Sequence, residues 1–434
     1  LFPSKKELNP ITIKEALSWG MDVIANYDEN YTDQYKNLTN FKLIQDTNVM
    51  EYLNDIITSL PKPTLPLYYS NEFIINFING AKCEIKGSLN KSYRVKFYNH
   101  DTNELIWENT ITNNMWTAPS IKYYIKWRIE IWENNNQVHK HIFDLTNQKV
   151  YIHLDSKSVG DTLAWFPYVE EFRKKHNCEV ICSTFKNFLF ESTYPNIKFV
   201  PPGSSVNAYA QYNIGWFDNT NKNPNNVITI PLQQTATDIL GLEYKEVKPK
   251  LSISLQKPSI KGKYVTLSIQ STAQCKYWNY KGGWQKIVNY LNLRGYKVVC
   301  IDKHAHFGVQ GCMNSIPNNV IDKTGCSLEE ASSLIKGAKF HLGISSGLSW
   351  LAWALNSHVL MISSFSQPFC EFTKNITRIY TDTPYSGYFN DPNYKLDASN
   401  WNWNPYLEIS TLEGWHDFET ITPKQVIKEI NKLL

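Results

Sequence analysis

The chain has 434 residues, of which 42% are hydrophobic and 19% charged, and its formal net charge is +4. This composition is typical of a globular protein with two or three domains, and the mild positive charge permits an anionic ligand without requiring one. The eight cysteines are scattered without a Cys-x-x-Cys pair, so we expect reduced thiols and a cytoplasmic protein. No signal peptide is expected, because the N-terminal LFPSKKELNP has no apolar h-region. No membrane insertion is expected either, because the densest apolar run near a helix, 348–355, is far shorter than the ~20 residues of a span.

Residues 1–66 combine helix-like spacing, as in Ile11–Ala25 and Val49–Leu60, with loops, and they end in the proline-rich stretch LPKPTLP. Residues 67–147 change to short β-branched and aromatic runs separated by Asn, Asp and Gly. They predict a small antiparallel sandwich or barrel, which could grip an acceptor or build an oligomer. The predicted strands are Phe73–Ile78, Lys82–Lys86, Tyr93–Asn99, Leu105–Thr112, Lys122–Trp132 and His139–Asp144.

Residues 148–248 and 249–434 each alternate strands with helices, which predicts two α/β domains with parallel sheets and a ligand crevice between them. In the first domain, strands are predicted at Val150–Leu154, Glu179–Ser183, Lys198–Val200, Tyr212–Trp216 and Val227–Ile230, and helices at Leu163–Lys175 and Leu232–Leu240. In the second, the predicted strands are Tyr264–Gln270, Lys297–Asp302, Phe340–Ser345 and Val359–Ser364, and the helices are Trp284–Leu293, Ser327–Lys336, Leu348–Asn356 and Pro423–Leu433.

Asp161 lies where the first α/β unit passes from its strand, through a glycine-containing loop, into a helix. A carboxylate at a helix start can cap free backbone N–H groups, and the helix dipole favours its ionised form. An ionised carboxylate at the edge of a cleft is also what a general base requires. The local sequence leaves both interpretations open, and favours the cap.

A phosphate site is predicted in the second α/β domain, where GISSGLSW follows a strand and opens an apolar helix. Ser345, Ser346 and Gly347 offer hydroxyls and backbone N–H groups at a helix N-terminus, the geometry that binds a diphosphate. A structural turn explains so short a pattern equally well.

Other strand-end loops of the second domain carry further candidates. Lys276 could reach a phosphate, or could simply be solvated. Thr324 and Gly325 could line the nucleotide side. Tyr277, Trp278 and Trp350 are candidates for stacking on a sugar or base, with core packing as the alternative.

Several site classes have no support in the sequence. His304 and His306 form an isolated His-x-His without a third ligand, so no metal site is predicted. There is no Walker loop, G-x-G-x-x-G or G-x-S-x-G, which argues against an NTPase, a dehydrogenase and an α/β-hydrolase.

Four motifs in order, SVGDTLAWFPYVEEF, STAQCKYWN, TGCSLEEASSLIKGAK and GISSGLSWLAWAL, resemble the bacterial autotransporter heptosyltransferases. They are similar, more distantly, to the heptosyltransferases of lipopolysaccharide core synthesis. The resemblance covers about 148–370, and the β-rich segment before it resembles the extra N-terminal domain of the autotransporter enzymes. It implies a GT-B fold and metal-independent, inverting transfer from a nucleotide-diphosphate sugar, typically ADP-heptose.

The resemblance also implies roles for individual residues. The catalytic Asp of the family falls on Asp161, and its phosphate-contacting Lys falls on Lys276. The donor-binding Ser-Gly-Leu falls on Ser346, Gly347 and Leu348, and the loop before the Ser-Leu-Glu-Glu helix falls on Thr324 and Gly325. Asp161 is therefore predicted to be the base as well as a cap.

The chain departs from the family at two places. Where the lipopolysaccharide enzymes carry D-T-G-x-x-H, it reads SSGLSW, which favours the autotransporter branch. Those autotransporter enzymes hold iron in a C-terminal cysteine cluster, whereas here the corresponding stretches read YSGYFNDP from Tyr385 and WNP from Trp403. Since only Cys370 is nearby, no iron and no other cofactor is predicted.

The acceptor is left open. The family implies Ser or Thr of a protein. A hydroxymethylated DNA base is the alternative, because the composition and the missing iron motif would also suit a viral enzyme. A non-catalytic sugar- or nucleotide-binding module is a third possibility.

Overall fold

The computed structural model describes residues 11–19, 21, 23–26, 35, 37–39, 41–44, 54, 58–59, 71–258, 260–309, 312–381, 386–393 and 420–434. The chain divides into two compact units, Leu1–Ser70 and Asn71–Leu434. In the first unit, α1 (Ile11–Ser18) precedes two parallel strands, β1 (Val23–Asn26) and β2 (Phe41–Ile44). The helix predicted from Ile11 therefore ends early, and the one predicted from Val49 lies largely outside the described residues.

A β-rich domain begins the second unit. One sheet has the order β3-β4-β7 and the other the order β6-β5-β8-β9, and all pairs are antiparallel. Alternate residues of β5, Tyr93, Val95 and Phe97, point into the core, as period-2 patterning requires. The strands are β3 (Glu72–Asn76), β4 (Lys82–Lys86), β5 (Ser92–Asn99), β6 (Leu105–Thr112), β7 (Met115–Thr117), β8 (Trp127–Glu133) and β9 (Asn136–Ile142).

The first α/β domain has a parallel sheet in the order β12-β11-β10-β13. The single helix predicted at Leu163–Lys175 is two helices, because Pro167 begins a new one after Phe166. The predicted strand Val227–Ile230 is wrong, since this stretch is a turn in which the Asn226 side chain accepts the Ile228 N–H. The elements are β10 (Lys149–Leu154), α2 (Val159–Trp165), α3 (Pro167–His176), β11 (Glu179–Ser183), β12 (Ile197–Phe199), β13 (Ala210–Ile214) and α4 (Gln234–Leu240).

The second α/β domain has a parallel sheet in the order β18-β15-β14-β19-β20-β21, and the hairpin β16–β17 follows β15. The hairpin and the short strands β18 and β21 were not predicted. The strands are β14 (Tyr264–Ser268), β15 (Lys297–Cys300), β16 (His306–Val309), β17 (Cys312–Ser315), β18 (Ile321–Asp322), β19 (His341–Ile344), β20 (Val359–Ile362) and β21 (Ile376–Ile379). The helices are α5 (Gly283–Leu293), α6 (Leu328–Gly337), α7 (Gly347–Ala354) and α8 (Pro423–Leu433).

The two α/β domains meet where α2 and α7 begin. A Cβ added at Gly160 would lie 3.6 Å from the Gly347 Cα and 3.1 Å from the Trp350 ring. One added at Gly347 would lie 3.3 Å from the Gly160 backbone N. Glycine at both positions therefore lets the two helix N-termini approach closely, with their backbone N–H groups at the same place.

Candidate functional site

The Asp161 carboxylate is held by two donors on one oxygen. Ser156 Oγ donates to Oδ2 at 2.6 Å, and Trp216 Nε1 donates to the same oxygen at 3.0 Å. Ser156 Oγ itself accepts the Ser158 backbone N–H at 3.1 Å, which orients the hydroxyl proton toward Asp161. Within the described residues Oδ1 accepts no hydrogen bond, so it is the oxygen that can take a proton.

The helix cap of α2 is a different residue from the one that the sequence favoured. Ser158 is the N-cap, and its Oγ accepts the Asp161 backbone N–H at 3.4 Å. The Asp161 side chain bonds to Ser156 and Trp216 instead of to free backbone N–H groups of its helix. The carboxylate is therefore available for chemistry, while a neighbouring serine caps the helix.

The loop at the start of α7 lies over a buried ion pair. Ser345 Oγ donates to Glu371 Oε1 at 2.6 Å, and Ser366 Oγ donates to the same oxygen at 2.7 Å. Arg378 pairs with the other oxygen, with its Nη1 at 2.7 Å from Oε2. Since Glu371 is only 5% exposed, this pair fixes the loop from its buried side, and the Ser345 hydroxyl, predicted to bind the donor, is engaged in the loop structure.

Ser346 and the first turn of α7 carry hydrogen-bond donors that have no partner among the described residues. The Ser346 Oγ is buried and has no hydrogen-bond partner among the described residues. In the same part of the chain, the Gly347 and Leu348 backbone N–H groups donate to no partner either. A buried hydroxyl and two helix-end N–H groups without partners are the donors that a diphosphate oxygen needs.

Lys276 lies in a short 3₁₀-helix (Gln274–Lys276) after β14, with its Nζ 5.3 Å from the centre of the Phe365 ring. Phe365 follows β20, so both residues lie at the carboxyl edge of the sheet, where the Ser346 loop after β19 also lies. Because β14, β19 and β20 are adjacent parallel strands, the Lys276 ammonium is on the same edge as the predicted phosphate cradle.

The three aromatic candidates do not offer stacking faces, which corrects the prediction that they could bind a sugar or base. Tyr277 and Trp278 are fully buried, and Trp278 donates its indole N–H to the Ile421 carbonyl at 2.8 Å. Trp350 is 3% exposed and packs edge-on against Trp353 and Phe372. All three belong to the core, which was the alternative left open by the sequence.

Thr324 and Gly325 lie after the edge strand β18, in a loop tied to Asp302. The Gly325 N–H donates to the Asp302 carbonyl at 2.9 Å, and Gly325 has a φ of 74°, which glycine adopts without strain. The Asp302 carboxylate accepts the backbone N–H groups of Ile269 and Gln270 at 2.8 and 3.1 Å. Burial raises the Asp302 pKa to about 7, although these hydrogen bonds oppose the shift. Asp302 thus fixes two loops that carry predicted donor contacts.

The described residues contain no group of three or more His, Cys, Asp or Glu side chains that could hold a metal ion. His306 Nδ1 bonds to Ser315 Oγ, and His304 stacks on Phe307, so the two histidines are engaged separately. Of the stretches that stand in place of the iron cluster, 386–392 is described and contains no cysteine, whereas Tyr385 and Trp403–Pro405 lie outside the described residues.

Two α/β domains with parallel sheets, in contact where α2 and α7 begin, have the architecture of a GT-B glycosyltransferase, as predicted from the resemblance. The family model of glycosyltransferase family 9 (heptosyltransferase) matches residues 226–381. The chain belongs to the autotransporter heptosyltransferases. It is 34% identical to the autotransporter heptosyltransferase Aah of Escherichia coli over 388 residues, which cover 87% of this chain and 97% of Aah.

Other relatives match a similar share of this chain. The autotransporter heptosyltransferase BAHTCr of Citrobacter rodentium is 32% identical over 381 residues, which cover 86% of this chain and 91% of the relative. The crystal structure of the iron-containing dodecameric glycosyltransferase TibC from enterotoxigenic E. coli has a TM-score of 0.78 and 30% identity, covering 86% of this chain and 98% of TibC. TibC has also been solved in complex with ADP-D-beta-D-heptose, at the same TM-score.

Three residues of the site escaped the sequence reasoning: Ser156, Trp216 and Glu371. Trp216 was predicted only as the last residue of a strand, and Ser156 only as part of a polar loop. The sole signal for Glu371 was an acidic residue in an otherwise apolar stretch after a buried strand.

In the described residues no helix has both the length and the hydropathy that a membrane-spanning helix needs.

Proposed function

We propose that this protein transfers a heptose from ADP-heptose to the hydroxyl of a Ser or Thr side chain on a protein, with inversion at the anomeric carbon. The observation that carries the proposal is the contact between the starts of α2 and α7. Directly next to this contact in the chain are Asp161, whose carboxylate has one oxygen without a hydrogen bond in the described residues, and the donors of Ser346, Gly347 and Leu348.

The chemistry is a single displacement. Asp161 Oδ1 takes the proton of the acceptor hydroxyl while the acceptor oxygen forms a bond to the anomeric carbon. The bond between that carbon and the diphosphate oxygen breaks, and its electron pair leaves with ADP. Attack from the face opposite the leaving group inverts the configuration, and protonated Asp161 then releases its proton to water.

The leaving diphosphate is stabilised by donors already in position. Ser346 Oγ and the Gly347 and Leu348 N–H groups bind its oxygens, and the Lys276 ammonium supplies positive charge from the adjacent strand end. Charge that develops on a departing group is stabilised best by donors that need not reorganise during the reaction. In this proposal Lys276 and the helix end of α7 supply that stabilisation, so no metal ion is assigned a role.

ADP-heptose is proposed as the donor because TibC, which is 30% identical and covers 86% of this chain, has been solved in complex with it. A protein acceptor is proposed because the relatives are named for autotransporters. The seven cysteines whose side chains the structure describes are free, which supports the further proposal that the protein works in the reducing cytoplasm.

Self-assembly is proposed to involve the β-rich domain. Its strands expose Leu105, Met115 and Trp116 by 46–60%, an apolar surface of the kind that a second subunit covers. Light scattering of the full chain tests this: changing Leu105 and Trp116 to Ser should yield smaller particles, and an unchanged mass would contradict it.

The reaction is tested by offering the purified protein ADP-heptose with either a Ser/Thr-rich bacterial surface-protein domain or hydroxymethylated DNA, followed by intact-mass analysis. We expect the mass of one heptose to appear on the protein acceptor together with free ADP. Transfer to DNA would overturn the acceptor assignment. If no sugar nucleotide releases ADP with either acceptor, the chain is a binding module and not a transferase.

A further inference from the structure

The base of the proposed reaction is held by residues from two separate loops. Ser156 belongs to the loop between β10 and α2, and Trp216 follows β13, which lies beside β10 in the sheet. Both donate to Asp161 Oδ2 and neither contacts Oδ1. Since a carboxylate can turn about its last torsion at little cost, two donors on one oxygen are needed to fix which oxygen faces the crevice.

Trp216 is itself fixed from both α/β domains. Its ring meets Trp165 of α2 edge-on, with centroids 6.0 Å apart, and it meets Phe389 of the second domain in the same way at 6.0 Å. Phe389 lies in the short 3₁₀-helix Tyr388–Asn390. The indole N–H that reaches the base is therefore positioned by the domain that carries the proposed phosphate cradle as well as by its own.

We propose that Ser156 and Trp216 are positioning residues that hold Oδ2 of Asp161, so that Oδ1 alone takes the proton from the acceptor hydroxyl. This inference rests on the proposed function and specifies which oxygen of Asp161 acts as the base. Trp216 is 39% exposed, so part of its ring is open to solvent next to the carboxylate that it holds. Losing either donor lets the carboxylate rotate, which misplaces the base without removing it.

The test is a kinetic comparison of Trp216→Phe and Ser156→Ala with the wild type, using ADP-heptose and the acceptor that it glycosylates. Phe keeps the packing against Trp165 and Phe389 but has no N–H. A displacement of the base should lower kcat by about 10-fold or more in each variant, with the donor KM unchanged within about twofold. Ser156→Thr keeps the hydroxyl and should restore most of kcat.

Trp107→Phe is the matched control. Trp107 of the β-rich domain is 41% exposed, and its indole N–H donates to Thr117 Oγ1 at 2.9 Å, so the same chemical change is made at a comparable indole. Its kcat should match the wild type. Thermal melting of every variant reports whether the fold is retained.

An active wild type with unchanged kcat in both variants would overturn this inference alone. So would a loss that appears only in donor KM, or a loss in Ser156→Ala that threonine does not restore. A wild type without transfer activity would overturn the proposed function, and this inference with it.

Discussion

The buried Glu371–Arg378 pair behind the α7 loop allows a quantitative prediction for Glu371→Gln. Glutamine has the shape of glutamate and can still accept from Ser345 and Ser366, but it leaves the Arg378 guanidinium without a counter-charge. Both side chains are buried, with exposed fractions of 4% and 9%. Removing one partner of such a pair costs about 3–5 kcal/mol, and the retained carbonyl oxygen puts the cost near the lower end, about 3 kcal/mol.

The α7 loop should respond first, because Ser345 is anchored on the same carboxylate. Hydrogen exchange of the amides at 344–349 should speed up by a factor of about 100, which corresponds to about 3 kcal/mol of local stability. ADP should bind more weakly, since Ser346 and Gly347 follow Ser345 directly. Exchange mass spectrometry and calorimetry measure the two effects.

Two further variants make the reasoning refutable. Glu429→Gln breaks the Lys432–Glu429 pair at the surface of α8, and a surface pair contributes only about 0.5 kcal/mol. Glu371→Gln/Arg378→Met removes the unpaired charge and should be more stable than Glu371→Gln alone. If Glu371→Gln is as mild as Glu429→Gln, or if the double variant is less stable than the single one, the pair does not support the loop as described.

Two other predictions concern the donor site and acid stability. Lys276→Met should weaken ADP binding about 10-fold or more while leaving the melting temperature nearly unchanged, because a charge-assisted contact contributes about 1.5–3 kcal/mol; calorimetry would contradict this if the affinity stayed the same. Burial lowers the pKa of His341 to about 3 from an ordinary value of 6.5, so the folded protein keeps this imidazole neutral. Its contribution to stability is complete above pH 6.5 and is lost as the pH falls toward 3, so the melting temperature should fall on acidification from pH 7 to 4.5. The fall of the melting temperature per pH unit should be smaller in His341→Gln than in the wild type. It should not reach zero, because burial also lowers the pKa of His176, to about 4. An equal fall in the wild type and in His341→Gln would contradict the assignment.

The parallel strands and the order of the motifs could be predicted because they depend on local information. Buried strands of such sheets are continuous apolar runs, as in Val359–Ile362. The glycine-containing helix starts at Gly160 and Gly347 could be located for the same reason. The contact between these two glycines depends on tertiary packing, so local sequence does not predict it. Only the order of the four motifs, shared with the family, indicated that the two helix starts belong to one site.

The errors have a shared physical origin. Tyr277, Trp278 and Trp350 follow strand ends, where ligand-stacking rings also occur, and a sequence does not show which side of a loop is covered. Trp278 is covered by the chain before α8, 143 residues away, whose Ile421 carbonyl accepts its N–H. The contact of Trp216 with Asp161 spans 55 residues and has no periodic signal. Long-range partners of this kind decide which aromatic residue lines the site.

The central claim is that Asp161 is the base and that donor recognition lies with the opposite domain. Asp161→Asn keeps the size of the side chain and removes its ability to accept a proton. In a single-turnover assay with ADP-heptose and the protein acceptor, this variant should bind the donor with wild-type affinity and transfer no detectable heptose. Transfer by Asp161→Asn at a rate close to that of the wild type would contradict the account.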